Sequence, residues 1–363
     1  MDRPSKTFSR AGFYLVLLFS FFASVYPAIA HIAAVLAFAL WIVEQTIFRN
    51  TDWVREEMFF PVAGFFLFTL LGFIVSRINA SVAALPYTGY LAIFYFVVHR
   101  FVSLSEKRKM IVWTFIAGVV LSSGLDIAMR LSSAGLERSL MNPAPERISF
   151  YILVVFAMIL AFYSEGKNFG EKFFFALIAL PLAVIAFLSF NVYVILILLL
   201  LVFIIGVCKD RTALFPLVIL LILFYSGIIE IPQNISSTGV IGILKSSIRN
   251  SIEYGETIKN ISFFGFDAAV ASTGFAGHSK PLFMELLMSS GPLALLISSW
   301  ILVKQFRSDF VKFRKITFRE MKAFHLGIIL SIVAFIMMSL AGSIFSSGSA
   351  VLVFWMILGM SEI

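Results

Sequence analysis

The chain has 363 residues, 60% hydrophobic and 13% charged, with a net charge of +8 and a single cysteine. Soluble domains are roughly 45–50% apolar and about 25% charged, so this composition excludes a water-soluble globule. One cysteine excludes an intramolecular disulfide and a cysteine-based zinc cluster, and the positive balance fits basic membrane loops facing anionic lipid without calling for nucleic acid.

Inside hydrocarbon a backbone must satisfy its own polar groups, which takes a helix of about 20 mostly apolar residues. In chain order the apolar runs predict helices at Gly12–Tyr26, Ile29–Phe48, Phe59–Val75, Ala80–Val98, Met110–Met129 and Ile148–Tyr163. They continue at Phe173–Phe190, Val192–Cys208, Ala213–Ile229, Leu282–Val303, Phe324–Ala341 and Ala350–Met360. The first run follows Arg3, Lys6 and Arg10 and continues into the second, so it reads as a retained span and not a cleavable signal. The first pair and the seventh–eighth pair, separated only near Pro27 and Ser189–Asn191, read as tight helical hairpins. The expected fold is all-α, a polytopic membrane bundle of about twelve transmembrane helices. Residues 1–229 supply the first nine spans, residues 230–281 a long polar loop, and residues 282–363 the last three.

Charge sets the expected orientation. With the N-terminus inside, eight of the 28 Lys and Arg residues fall outside: Arg77, Arg130, Arg138, Arg147, Lys245, Arg249, Lys259 and Lys280. The remaining twenty gather inside, among them Arg100, Lys107, Arg108, Lys109 and seven in a basic loop at Lys304–Lys322. That asymmetry places both termini in the cytoplasm and the polar loop outside. On this reading His99 and His325 cap or pack cytoplasmic helix ends, and Cys208 is a small buried hydrophobe.

The outer charges between the fifth and sixth helices are arginines: Arg130, Arg138 and Arg147, with Glu137 and Glu146 alongside. A guanidinium is a permanently charged planar fork suited to phosphate oxygens; solvated loop charges, or Arg147 snorkelling at a helix start, are the plainer alternative. In the large loop, Lys245 precedes a segment, Ser246–Lys259 with Arg249 and Tyr254, that fits a short interfacial amphipathic helix. Further on, Gly274, Gly277 and Pro281 constrain a turn that presents His278 and Lys280. His278 can act as a base toward an attacking hydroxyl, or it can be an interfacial ring facing headgroups. Asp126, one turn before Arg130, fits a transporter relay acid or, at least as well, a local ion pair. The spans show no matched halves of the kind many transporters have, and no Walker loop, His-Glu-x-x-His or Gly-x-Ser-x-Gly is present.

Together these features resemble the superfamily of O-antigen ligases and O-antigen polymerases of bacterial envelopes. His278-Ser279 and the stretch Leu282 to Gly291 are similar to the ligases' loop pattern of a histidine followed by a glycine at the next span, with the glycine two positions late. Arg249 with Tyr254 resembles the family's Arg-plus-aromatic stretch, and Arg138 through Asn142-Pro143 to Arg147 its segment before the sixth helix. Phe263–Phe266 resembles its loop motif without the proline and second glycine. The outer hairpin departs from the family: Ser189-Phe190-Asn191 lacks the usual arginine. Either Arg147 or Arg249 supplies that charge, or the donor is held differently, or this copy is inactive.

The resemblance implies a GT-C-like fold in the bacterial inner membrane. It also implies transfer of a glycan from undecaprenyl pyrophosphate to lipid A–core or another glycan acceptor, with inversion and without nucleotide, metal or other cofactor. His278 is the implied catalytic residue, Arg249, Arg147 and Arg138 the pyrophosphate ligands, and Lys280, Tyr254, Arg130 and Asp126 supporting residues. No outer arginine has a glycine eleven residues on, as family polymerases often do, which leans toward ligase. A polymerase, a lipid-glycan transporter and a non-catalytic envelope-assembly protein are the alternatives.

Overall fold

The computed structural model describes residues 3–48, 57–76, 91–102, 104–131, 145–188, 192–209, 282–341 and 348–361. Among them every regular element is a helix: α1 (Arg3–Val25), α2 (Pro27–Phe48), α3 (Phe59–Ser76), α4 (Phe94–Phe101), α5 (Ser105–Leu131) and α6 (Pro145–Ser164). The remainder are α7 (Phe169–Leu188), α8 (Val192–Cys208), α9 (Leu282–Lys315), α10 (Arg319–Ala341) and α11 (Gly348–Ser361). Five stretches are long and apolar enough to cross a membrane: Thr7–Val25, Pro27–Ile47, Ser105–Asp126, Phe169–Ala186 and Arg319–Ser339. At about 1.5 Å per residue, even the shortest of these comes close to the roughly 30 Å hydrocarbon core. The chain is thus built as a helical membrane protein. The predicted span Ala213–Ile229 and the loop at 230–281 lie outside the described residues.

Burial sorts the helices into inner and outer. Every residue of α11 from Ser349 to Ser361 is buried, and α6 is buried without interruption from Ser149 to Ala161. A helix apolar all round has no preferred solvent face and takes the centre. α6 packs most extensively on α10, and α11 on α4. The outer helices instead turn large apolar side chains outward: Ile32, Val35, Leu36 and Val43 on α2, and Phe173, Phe174, Leu177 and Leu180 on α7. In water such faces would be unstable, whereas lipid tails match them.

Two glycines position backbone. Gly118 lets α5 cross α1 so closely that a Cβ there would lie 2.3 Å from the Phe21 carbonyl oxygen. One turn on, Ser122 Oγ donates to the Ser24 carbonyl at 3.0 Å, closing the same α1–α5 contact. Gly291 has φ 78° and ψ 177°, a conformation almost reserved for glycine. With Pro292, which cannot donate to the preceding turn, it breaks α9 into Leu282–Ser290 and a second segment running to Lys315.

That second segment corrects one expectation. The basic stretch Lys304–Lys322 is mostly helix and not a loop, because α9 continues to Lys315 and α10 begins at Arg319. Buried polar anchors hold the extension: Gln305 and Asp309 are both fully enclosed against α10 and α11.

Charged contacts gather the helix ends into one basic end. Arg100 at the end of α4 meets Glu44 near the end of α2 at 2.7 Å. Lys109 at the start of α5 meets Glu320 at the start of α10 at 2.9 Å, and Arg319 meets Glu171 at the start of α7 at 2.9 Å. Lys209 after α8 pairs with Glu165 after α6, and Lys304 on α9 lies 3.7 Å from Glu57, just before α3. Lys107 stands 5.2 Å over the Phe13 ring of α1, and Lys312 Nζ donates to the Ser361 carbonyl at the end of α11 at 2.8 Å. Starts and ends therefore alternate at this end from α1 to α8, as antiparallel spans require.

Candidate functional site

His278, Arg249, Arg138, Tyr254 and Lys280 lie outside the described residues. The structure does place the backbone positions of Arg130 and Arg147. Arg130 stands in the last turn of α5 and Arg147 in the first turns of α6. Because α5 starts and α6 finishes at the basic end, both positions stand at the opposite end of the bundle. Asp126, one turn before Arg130, is only 5% exposed, so this carboxyl is carried inside the bundle.

The end bearing Arg130 and Arg147 also holds a seam of polar side chains. Ser24, Ser123, Ser149 and Ser349 are buried there, as is Asp126. Tyr151 on α6 donates its hydroxyl to Ser349 Oγ of α11 at 2.7 Å. His31, at the start of α2, donates from Nδ1 to the Pro27 carbonyl at 2.7 Å, and this fixes the ring orientation. Its Nε2 faces the start of α11 so closely that a Cβ on Gly348 would lie 2.8 Å from it. Buried polar groups in an apolar bundle are costly unless hydrogen-bonded. A seam of them drawn from α1, α2, α5, α6 and α11 makes this end the more polar part of the interior away from the lysines.

Sequence reasoning missed the strongest polar cluster, which lies at the basic end. Asp309 on α9 accepts from Ser361 Oγ at 2.7 Å to both carboxyl oxygens and from Gln305 Nε2 at 2.9 Å. His325 Nδ1 on α10 lies 2.7 Å from Asp309 Oδ1, with both side chains almost wholly enclosed. Gln305 also contacts Ser361. His325 was expected to cap or pack a helix end; instead it is the α10 arm of a three-helix polar lock. The weak signal available was the Gln305/Asp309 spacing, which places two polar side chains on one face of a helix. Ser, Asp and His are all present, but a carboxyl sits between the hydroxyl and the ring. The imidazole therefore addresses the carboxyl and not the hydroxyl, so the order of a nucleophile–histidine–acid triad is not formed. Among the described residues, no three His, Cys, Asp or Glu side chains converge as a metal site.

A second missed pair is Glu44–Arg100. Arg100 gives both Nε (3.2 Å) and Nη2 (2.7 Å) to Glu44 Oε1, while the fully buried Glu44 keeps Oε2 without a partner. Cys208 is also corrected. It ends α8 exposed and not buried, because the helix stops there beside Lys209 at the polar boundary.

No protein-family model matches the chain, and no curated protein is significantly similar to it.

Proposed function

We propose that the chain is an O-antigen ligase-like glycosyltransferase of the bacterial inner membrane. It moves a glycan from undecaprenyl pyrophosphate to lipid A–core or a related acceptor at the periplasmic face. The observation that carries the reading is the position of Arg130 and Arg147. They stand at the end of α5 and the start of α6, at the end of the bundle that also carries buried Asp126 and away from the end where the lysines collect. Arginines retained on the disfavoured side of a membrane need a reason, and a lipid-linked diphosphate provides one.

The finer architecture belongs to the same proposal: twelve spans, both termini cytoplasmic, and a periplasmic loop at 230–281. Lys209 lies at the basic end, whereas α9 reaches that end only at its far terminus, so the chain changes ends between them. That supports a ninth span. The break at Gly291, where the resemblance expects a glycine at a span, supports the boundary after the loop.

In this reading His278 deprotonates the acceptor hydroxyl, which attacks the anomeric carbon as the glycosyl–phosphate bond breaks. Arg249 and Arg147 hold the departing pyrophosphate, and the lipid diphosphate supplies the leaving group. Lipopolysaccharide from a deletion strain tests the assignment. Loss of long O-chains with accumulation of lipid-linked glycan is the expected result. Chains of a single repeat would instead identify a polymerase, and an unchanged pattern would refute both.

A further inference from the structure

A cavity of about 1090 Å³ opens at the basic end between the starts of α5, α7 and α10 and the end of α6. Arg108 borders it and is 5% exposed, yet neither its Nε nor its Nη1 has an acceptor. Phe324 covers the guanidinium at 5.6 Å, which steadies the group but accepts no N–H in the plane of the fork. A buried cation left without an acceptor is costly, and an oxyanion would remove that cost.

The other charges around the cavity are largely committed. Lys109 holds Glu320, Arg319 holds Glu171, and Glu165 is taken by Lys209. Lys167 and Glu106 stand at the exposed rim. The buried guanidinium is therefore the interior cation facing this space, with a lysine at its mouth.

The walls are apolar. Trp113, Phe162 and Phe175 stack on one another with ring centroids 5.7 to 6.1 Å apart. Exposed Phe174 and Phe318 flank the opening. Three of the membrane-length stretches (Ser105–Asp126, Phe169–Ala186 and Arg319–Ser339) begin around it, which sets the cavity at the boundary between hydrocarbon and headgroups. A free phosphate would use the cation and leave the aromatic wall idle; a phospholipid would use both.

We propose that this cavity holds the phosphate of a lipid headgroup, with Arg108 as its anchoring donor and the Trp113 wall against the acyl chains. The proposal is independent of the transferase reading, since the cavity is at the opposite end from Arg130 and Arg147.

The test uses the full chain in a phosphate-free alkyl maltoside detergent, with phosphatidylglycerol titrated in one arm and inorganic phosphate in the other. Binding is counted by native mass spectrometry. Wild type should take up phosphatidylglycerol, Arg108→Gln should bind it about tenfold more weakly, and Arg314→Gln, a cation at the same end over Phe310, should match wild type. Equal phosphate binding with the same Arg108 dependence would overturn the lipid as occupant. Equal losses in both variants, or no loss in either, would overturn the site. If Arg108→Gln does not fold, a phosphatidylglycerol with a diazirine in its acyl chain decides on wild type. Labelling at Val112–Trp113 or Phe174–Phe175 supports the cavity, and labelling only elsewhere rejects it.

Discussion

Replacing Asp309 by Ala removes one acceptor shared by three buried donors from three helices. Ser361 Oγ and His325 Nδ1 lie at 2.7 Å and Gln305 Nε2 at 2.9 Å, with Asp309 itself wholly enclosed. Hydrogen bonds to charged groups contribute about 1.5–3 kcal/mol each in soluble proteins. In helical membrane proteins coupling averages about 0.6 kcal/mol and reaches about 1.7, because the unfolded chain also finds partners. Three contacts on that lower scale give about 2–5 kcal/mol for Asp309→Ala and about 1–2 for His325→Ala or Ser361→Ala. Because the three donors share one acceptor, the losses should not add. His325→Ala in an Asp309→Ala background should cost almost nothing further. Reversible unfolding in mixed detergent micelles, followed by tryptophan fluorescence, measures all four proteins. Additivity within about 0.5 kcal/mol would show that the ring and the carboxyl act separately, and the lock would be an illusion of proximity.

Other consequences can be measured on the same preparation or in cells. Arg100→Gln strands the buried Glu44 carboxyl and should cost about 3–5 kcal/mol, while Arg100→Gln with Glu44→Leu should recover most of it; no recovery would mean that the arginine acts through packing alone. Gly291→Ala forces a side chain into φ 78° and should cost about 1–3 kcal/mol; an unchanged midpoint would show that α9 can straighten there. Cys208, the single cysteine and exposed at the basic end, should react with an impermeant maleimide in inverted vesicles and not in intact spheroplasts. The reverse pattern would invert the proposed orientation. His278→Ala and Arg249→Ala should each abolish complementation at unchanged protein level; full complementation by both would remove them from the site.

The helices were legible because a run of apolar residues has one stable form in hydrocarbon. Val192–Cys208 was read to the residue, and α2, α3 and α6 within a few. The neighbours of each helix were not legible. In α8 or α11 apolar residues cover every face, so no periodic stripe shows which side meets α4 or α6. For the same reason Glu44 gave no hint of Arg100, 56 positions away, and Asp309 none of Ser361, 52 away. At the end of α9 a dense run of charge reads as loop, whereas the chain is helical to Lys315. Asp309 and Lys312 are spent on neighbouring helices and Lys304 on Glu57, while Arg307, Arg314 and Lys315 are exposed along a helix that simply continues. At the candidate site, charge bias singles out Arg130 and Arg147, and the structure adds only that both positions lie at the end of the bundle away from the lysines. The polar seam around His31, Tyr151 and Ser349 escaped notice, since single serines and a histidine in apolar runs carry no spacing signal.

The most direct test of the proposed function is transfer by the purified protein. Given undecaprenyl-pyrophosphate glycan and rough lipopolysaccharide, without nucleotide or added metal, it should release undecaprenyl pyrophosphate and extend the lipopolysaccharide with one glycan per acceptor. His278→Ala should be inactive in the same assay. Robust protein with intact donor after prolonged incubation, or equal turnover by the His278→Ala variant, would contradict the account.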